Sequence, residues 1–410
     1  MQIRYTRCAG IDVHKKSLTV CVLAGEPGQE PTREKREFGT TTSALLELSD
    51  WLRQQQVQAV VMESTGVYWR PVWAILRGEF ELTLAHPAFV KNMPGEKTDG
   101  KDAGWLADLH RHGLVRASFV PELEIQDLRE LTRYRAQVAA DRARVANRIQ
   151  KQLETANLKL GSVATDVLGA SGQRILDALI GGETDASKLA DLALGQLRKK
   201  KWQLERSLEG NVREHHRSML RLELAQWRFL ERLLGEIERD IEVALRPFVE
   251  QRELLLTIPG ISKTTAAVLI AELGTDMSVF KSAEQVSSWA GLCPGHNESA
   301  GKRYSGRIRE GNAWLKPALC QSAWAVTRCK NTYLQSQFQR LCGKKGKKRA
   351  LVAVAHSLLT IAYTLLKTRQ TYQDLGADYF QLRHQDRYKR AHVRALQRLG
   401  YEVTLKPTAA

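Results

Sequence analysis

The sequence predicts an α/β domain followed by a mainly helical body. Three observations support this fold class. Short apolar strands alternate with helical patterns over residues 1–118, no Gly or Pro interrupts residues 122–158, and a Pro-Gly turn joins two apolar helical segments near residue 260. At about 150 residues per domain, a chain of this length has room for two or three domains.

The first domain, residues 1–118, is predicted to contain a mixed sheet. Neighbouring strands followed by strand–helix alternation are typical of a sheet with helices packed on it. The expected elements are strands at 9–13, 18–24 and about 36–40, a helix capped by Thr41 or Thr42 and ending near 55, a strand at 59–63, a helix at 67–77, a strand at 82–85 and a helix at 98–112.

The second region, residues 119–250, is predicted to be helical. Apolar residues at four- and seven-residue spacings between 121 and 158 indicate a long amphipathic helix that can form a coiled coil. A second long helix is expected at 197–245. The expected role is a spacer or dimer arm, with an RNA-clasping or multimer-forming arm as the alternative. Breaks that divide residues 161–195 into shorter helices are expected at Gly169, Gly172, Gly181 and Gly182.

The remaining chain is predicted to form a third domain at 251–349 and a flanking helix with a basic tail at 350–410. The run from 350 to 366 is uncharged, but it is shorter than the roughly 20 residues of a membrane span. We therefore expect a buried helix and no membrane contact. Six cysteines without a CxxC pair predict neither a disulfide framework nor a zinc ribbon, which favours a reduced, cytoplasmic protein.

Positive charge is concentrated in one segment of the chain. The chain has 62 Lys and Arg residues against 45 Asp and Glu residues, a net charge of +17. Between Lys302 and Arg349, thirteen basic residues are opposed only by Glu310. Clustered cations release counterions when they meet phosphates, so this segment predicts a nucleic-acid partner rather than a passive solvated surface.

Four carboxylates of the first domain predict a metal site. Asp12 lies within the first strand and Glu63 ends another, while Asp99 and Asp102 are three residues apart at a predicted helix start. Each acid alone is explained more simply as a surface residue or a helix cap. Two strands and one helix start can nevertheless converge on one sheet edge, where carboxylates suit Mg²⁺ (or Mn²⁺) and could promote phosphoryl transfer.

A helix–hairpin–helix pattern is predicted between residues 254 and 274. Two apolar helical segments flank the Pro-Gly turn at Gly260, and Ser262 and Lys263 follow at the start of the second helix. Backbone amides at such a helix start can hold a phosphate without reading base sequence. An ordinary helical hairpin is the alternative.

A serine is predicted to project from a loop rich in Gly and Pro. Ser299 lies in this loop, and Ser305 is a competing candidate. A hydroxyl is a poor nucleophile unless a base, a metal or nearby cations favour its alkoxide. Cations that could balance phosphoryl charge in the transition state follow at Lys302, Arg303, Arg307 and Arg309.

Four segments, Gly10–Lys16, Met62–Trp69, Lys97–Ala103 and Gly291–Gly301, occur in a specific order along the chain. Together they resemble the DEDD-type transposases of the insertion-sequence one-ten family, with one-one-one-one as the expected subgroup. The resemblance covers about residues 8–115 and 250–345.

The resemblance implies a RuvC-like, RNase H-type fold for residues 1–118, in which Asp12, Glu63, Asp99 and Asp102 are the metal ligands. It implies that Ser299 is the nucleophile of a C-terminal transposase domain and forms a covalent phosphoserine link to DNA. Donor and target DNA would be the substrates, chosen by a structured guide RNA (a bridge RNA). Residues 119–250 would be a coiled-coil linker.

The same resemblance implies a homo-oligomer, a dimer or a tetramer, with active sites completed between subunits. It also implies that the protein is located in the prokaryotic cytoplasm, where it acts on the nucleoid. Two other functions remain open at this point. A Holliday-junction-type endonuclease would use water as its nucleophile, and Ser299 would then be incidental. A non-catalytic nucleic-acid scaffold would use only the long helices and the basic loops.

Overall fold

The computed structural model describes residues 3–64, 66–85, 102–295, 297–299, 302–305, 307–383 and 385–404. Contacts within the chain divide it into two compact units, Met1–Pro121 and Glu122–Ala410. The first unit contains a mixed sheet and the second is mostly helical, so the predicted order of an α/β domain and a helical body is confirmed.

The first unit is built on a five-stranded sheet of order β3-β2-β1-β4-β5. Antiparallel pairing joins β1 to β2 and β2 to β3, whereas β4 adds parallel to β1 and β5 parallel to β4. The predicted mixed sheet is therefore confirmed, including its weak third strand, which lies at one edge. The strands are β1 (Arg7–Val13), β2 (Ser17–Ala24), β3 (Thr32–Gly39), β4 (Ala59–Glu63) and β5 (Glu81–Ala85).

Helices cover both faces of this sheet. Because side chains alternate along a strand, Ile11 of β1 joins a core with Leu48 and Trp51, while Cys8 joins Ala103 and Ala107 on the opposite face. Thr41 caps the first helix by accepting a hydrogen bond from the Ala44 amide, as predicted. The described helices of this unit are α1 (Thr42–Gln54), α2 (Trp69–Leu76) and α3 (Asp102–Arg111).

An antiparallel helix pair forms the first part of the second unit. Helix α4 (Leu123–Thr155) packs along α10 (Glu214–Ala244). Arg135 pairs with Glu238 and Arg142 with Glu231, so residue numbers rise on one helix as they fall on the other. The predicted long first helix is confirmed. Between the two lie α5 (Leu160–Val163), α6 (Ala170–Ile180), α7 (Ala186–Asp191), α8 (Gly195–Arg198) and α9 (Lys201–Leu208).

Two predicted details of this region are wrong. The expected helix over 197–245 is broken between α9 and α10, because the chain turns at Gly210, where a Cβ would lie 2.6 Å from the Ala156 carbonyl oxygen. Gly172 does not break a helix but lies inside α6. A Cβ on Gly172 would be 2.0 Å from the Val167 carbonyl oxygen, so the glycine permits close packing instead.

The rest of the second unit consists of short helices around one long apolar helix. Its described elements are α11 (Val249–Leu256), α12 (Lys263–Leu273), α13 (Ala283–Trp289), β6 (Asn297–Ser299), β7 (Lys302–Ser305), α14 (Leu315–Val326), α15 (Tyr333–Lys345), α16 (Lys347–Thr368), α17 (Tyr379–Arg383) and α18 (Gln385–Arg398), with single 3₁₀ turns at Arg246–Phe248 and Met277–Val279. The expected basic tail therefore contains a helix, α18.

Helix α16 is the predicted apolar helix. By length and composition it is the one helix in the described part of the chain that could cross a membrane. Val354, Leu358 and Ala362, however, are fully buried in the core of the second unit, where α11, α13, α14 and α15 pack against the helix. The prediction of a buried helix is confirmed.

Candidate active site

Two acidic side chains lie next to each other at the C-terminal ends of the adjacent strands β1 and β4. The parallel register of β1 and β4 pairs Ile11 with Met62. Asp12 and Glu63 follow directly, on strands whose axes are about 4.8 Å apart, and equal register directs both side chains to the same face. The structure thus brings together two residues that are 51 positions apart in the sequence.

Helix α3 covers that same face and brings a third acid towards it. A Cβ on Gly10 would lie 2.2 Å from the Ala103 carbonyl oxygen and 2.6 Å from the Ala107 amide nitrogen. Only a glycine therefore lets the helix approach β1 this closely. Asp102 is the first residue of α3, one position before that contact and near the Asp12 end of β1. Asp99, the fourth predicted acid, lies outside the described residues.

His14 is a neighbour of the site that the sequence analysis did not select. Its Nε2 lies 3.0 Å from Oδ2 of Asp12, whose side chain is only 20% exposed. His14 follows β1 directly, two residues after Asp12, and this spacing was the signal that could have identified it. No three His, Cys, Asp or Glu side chains within the described ranges lie close enough together to hold a metal ion.

Ser299 ends a short strand in a β-hairpin. Strands β6 and β7 pair with Ser299 opposite Lys302 and Asn297 opposite Ser305. The backbone at Ser299 is therefore paired as part of a strand, whereas the sequence predicted a loop rich in Gly and Pro. The Ser299 side chain lies outside what the structure describes.

Glycine contacts close the base of this hairpin. A Cβ on Gly295 would lie 2.9 Å from the Arg307 carbonyl oxygen, and one on Gly311 would lie 2.3 Å from the Gly291 nitrogen. The Gly295 amide donates to the same Arg307 oxygen at 2.9 Å. The two arms of the hairpin therefore approach more closely than side chains would allow, and the predicted Gly-rich character has a structural reason.

Four cations lie within four residues of the second candidate serine, Ser305. Lys302, Arg307 and Arg309 are exposed to solvent, as the prediction of phosphate contacts requires. The Arg307 amide donates a hydrogen bond of 3.1 Å to Oγ of Ser305, so this hydroxyl has a local partner. Arg303 lies in β7, but its side chain is outside the described part of the chain.

The predicted helix, Pro-Gly turn and second helix are present as α11, the turn at Gly260 and α12. Gly260 has a φ of +85°, and a Cβ there would lie 2.8 Å from the Ser322 carbonyl oxygen of α14. The turn is therefore packed against α14 on that side. Ser262 caps α12 by accepting from the Thr265 amide, and both Ser262 and Lys263 are exposed.

A buried carboxylate of α12 binds both the helix pair and the segment that follows the hairpin. Glu272 of α12 is 1% exposed and accepts two hydrogen bonds from Arg133 of α4, at 2.7 and 2.8 Å. Asn312, just after the hairpin, donates to the same carboxylate at 2.6 Å and accepts from the Trp314 and Leu315 amides. Sequence analysis missed Glu272, although one acid inside the apolar run of α12 was a usable signal.

These features define a class of protein. Acids at a strand edge in an α/β unit, followed by a helical unit with a cation-rich hairpin, are typical of enzymes that process nucleic acids. Comparisons with known proteins agree. A family model for IS110-type DEDD proteins, described as "Transposase", matches residues 9–158, and a model described as "Transposase IS116/IS110/IS902 family" matches residues 252–339.

The two matches together cover more than half of the chain, and the chain belongs to the IS110 family of insertion-sequence transposases, enzymes that act on DNA. A "Pilin gene-inverting protein" of Moraxella bovis is 25% identical over 378 residues, 88% of this chain and 96% of the relative. The "Transposase for insertion sequence element IS1111A" of Coxiella burnetii is 28% identical over 148 residues, 34% of this chain and 39% of the relative.

Proposed function

We propose that this transposase cuts and rejoins DNA through a serine-linked intermediate, with a RuvC-like, RNase H-type first unit. The observation that carries the proposal is the side-by-side placement of Asp12 and Glu63 on the sheet face where α3 begins with Asp102. Structural acids would be expected to pair with cations. Asp12 instead lies 3.0 Å from a histidine, the exposed His14.

The donor chemistry of this edge fits a hard divalent cation. Asp12, Glu63 and Asp102, together with Asp99, would hold Mg²⁺ or Mn²⁺ through carboxylate oxygens. When bound, such an ion supplies charge stabilisation to the attacking and leaving oxygens of a phosphodiester. The strand register sets the positions of Asp12 and Glu63, and the close contact at Gly10 sets the position of the N-terminus of α3.

The serine hairpin would supply the nucleophile. In the proposed step, Oγ of Ser299 forms a bond to phosphorus while the bond from phosphorus to one deoxyribose oxygen breaks. The hydroxyl proton passes to solvent or a nearby base, and the departing sugar oxygen takes up a proton to become a hydroxyl. Exposed Lys302, Arg307 and Arg309 would balance the phosphoryl charge.

A covalent link explains why cut ends could be rejoined. The phosphoserine ester keeps the bond energy of the phosphodiester, so a second DNA hydroxyl can reverse the reaction without another energy source. The Moraxella bovis relative is named for inverting a gene, and inversion requires rejoining. We further propose that a structured guide RNA selects donor and target DNA, and that the protein works as a dimer or tetramer.

The test is a search for a DNA adduct. The full chain is incubated with Mg²⁺, DNA that flanks its gene and RNA transcribed from that flanking DNA, then denatured and treated with protease. We expect a protease-sensitive adduct with the wild type and with Ser305→Ala, and none with Ser299→Ala or Asp12→Asn. An adduct in Ser299→Ala would overturn the nucleophile assignment. Metal-dependent free ends without any adduct would favour the endonuclease that uses water.

A further inference from the structure

The far end of the helix pair carries a surface that the proposed reaction does not use. Residues 156–213, here called the end subdomain, connect the C-terminus of α4 to the N-terminus of α10 through five short helices. The subdomain has its own core, which includes Ile175, Leu189 and Leu204. It is thus a folded body and can present a defined surface.

That surface combines an exposed indole with cations. Trp202, on α9, is 61% exposed, and Leu194, eight residues earlier in the sequence, is 41% exposed. Arg198, Lys199 and Lys200 lie two to four residues before the tryptophan and are exposed, and Arg206 lies one helical turn after it. We call Arg198, Lys199, Lys200, Trp202 and Arg206 the tip patch.

The cations of the tip patch differ from those along the helix pair. On the helix pair, Arg135, Arg142 and Arg228 each form an ion pair with an acid. In the end subdomain, Lys201 pairs with Asp191. Across the described ranges, no carboxylate lies within 4.0 Å of the cationic groups of Arg198, Lys199, Lys200 and Arg206. These four charges therefore have no protein counterion and suit a polyanion.

A shallow cleft extends the tip patch. It has a volume of about 250 Å³, and Lys200, Gln196 and Ser171 contribute to its lining, as does Asp166. Oδ1 of Asp166 accepts a hydrogen bond from the Leu168 amide, so part of its charge is used locally. The cleft offers polar donors and acceptors beside Lys200 of the tip patch, and these could contact the edge of a base.

We infer that the tip patch binds an unpaired segment of a folded RNA. An exposed indole can stack on a base only when that base is free of its own helix, and neighbouring Lys and Arg side chains then hold the adjoining phosphates. From Arg133 to the end of α4 the helix rises about 33 Å at 1.5 Å per residue. Glu272 binds both Arg133 and Asn312, and Asn312 follows the serine hairpin in the sequence. The hairpin is therefore anchored near Arg133, and the tip patch lies far from it.

This distance favours RNA over DNA. DNA strands separate where they are exchanged, at the reacting serine, whereas the loops of a folded RNA remain unpaired wherever they dock. The inference rests on the proposed function only for the presence of a guide RNA. It adds the residues that would hold that RNA, a set that includes neither the carboxylates nor Ser299.

The test measures RNA binding by the full chain. The probe is a labelled RNA hairpin with a six-nucleotide loop, because stacking platforms accept any base. Trp202→Leu should weaken binding roughly 5- to 150-fold, the range that one stacked base contributes. Phe229→Leu is the matched control, since Phe229 is 54% exposed on α10 beside an arginine that already has an acidic partner. It should bind like the wild type.

Charge is tested separately through salt dependence. Replacing Arg198, Lys199 and Lys200 by Ser should lower the slope of log affinity against log salt by roughly two, about 0.7 for each lost contact to a single strand. The charge-preserving triple Arg198→Lys, Lys199→Arg, Lys200→Arg should keep the wild-type slope. Unchanged unfolding midpoints would show that these exposed substitutions leave the fold intact.

Three results would overturn the inference: equal affinity of the Trp202→Leu and Phe229→Leu variants, equal binding of a closed RNA duplex, or tighter binding of single-stranded DNA of the same sequence. Ser299→Ala should bind the RNA like the wild type. An adduct with unchanged RNA binding in Trp202→Leu would remove only this inference. Loss of RNA binding in Trp202→Leu, with no adduct from the wild type, would remove only the proposed chemistry.

Discussion

Glu272 and Arg133 form a two-pronged ion pair that joins α12 to the helix pair, with N–O distances of 2.7 and 2.8 Å. The Asn312 amide completes the set at 2.6 Å. Because this carboxylate is only 1% exposed, these donors replace the water that it loses on burial. The pair therefore fixes three segments of the second unit relative to one another.

Neutralising this carboxylate should destabilise the second unit strongly. Glu272→Gln leaves the Arg133 guanidinium beside a neutral amide that cannot accept both of its hydrogen bonds, and breaking a buried pair costs about 3–5 kcal/mol. The measurement is the urea midpoint of the second unit. Glu238→Gln, which breaks an exposed pair with Arg135, is the control and should cost at most about 1 kcal/mol. Equal midpoints for the two variants would contradict this account.

Gly10→Ala should displace α3 from the sheet. The new Cβ would lie 2.2 Å from the Ala103 carbonyl oxygen, and such overpacking costs typically about 1–3 kcal/mol. Because Asp102 begins that helix, DNA cleavage should fall more than the loss of folded protein explains. Gly235→Ala, with nothing within 4 Å of its Cβ inside α10, should instead stabilise the protein by up to about 1 kcal/mol. Full cleavage by Gly10→Ala would be inconsistent with this packing.

His110 should make the first unit less stable at acidic pH. Burial against Tyr5 lowers the pKa of His110 to about 4, so the folded protein keeps it neutral while the unfolded chain protonates near its ordinary pKa of about 6.5. The stability of the folded state is then lost as pH falls from 6.5 to 4, by about 3 kcal/mol in all.

His110→Phe should remove this loss and keep the aromatic contact. The measurement is the free energy of unfolding of the first unit at pH 7 and pH 5, where the variant should show a smaller difference than the wild type. His215→Gln changes an exposed histidine and should leave the pH dependence as it is. A variant with the wild-type pH dependence would show that His110 is not the responsible group.

Two lysines at the start of α16 should contribute more to binding than to stability. Lys347 and Lys348 are the first residues of that helix. A cation at this end interacts unfavourably with the helix dipole and lowers the stability of the helix by about 0.3–1 kcal/mol. Replacing both by Gln should raise the free energy of unfolding slightly and weaken duplex DNA binding. The slope of log affinity against log salt should fall by about 0.9 per lost contact.

Replacing the same two lysines by Arg keeps the charge and serves as the control, with wild-type affinity expected. Unchanged DNA affinity in the double Gln variant would show that this part of the basic segment is a solvated surface. A loss of stability in that variant would contradict the dipole argument instead.

The amino-acid sequence by itself determined the elements and the character of this protein. Apolar periodicity identified the strands of the first unit, the long α4 and the buried α16, because these patterns depend on neighbours within a few residues. Charge counting identified the basic segment between Lys302 and Arg349. The ordered motifs identified the family, which the matches over residues 9–158 and 252–339 confirm.

The tertiary structure decided everything that depends on contacts between distant residues. The register of β1 and β4 sets Asp12 beside Glu63, and pairing across a hairpin, not local propensity, makes Ser299 the end of a strand. Folding buries Glu272 where it joins α12 to the helix pair and to Asn312. Among the described residues, no carboxylate lies within 4.0 Å of the Lys199 amino group, unlike the paired arginines of the helix pair. Local patterns cannot specify such contacts, because each is set by which side chains meet after the chain has folded.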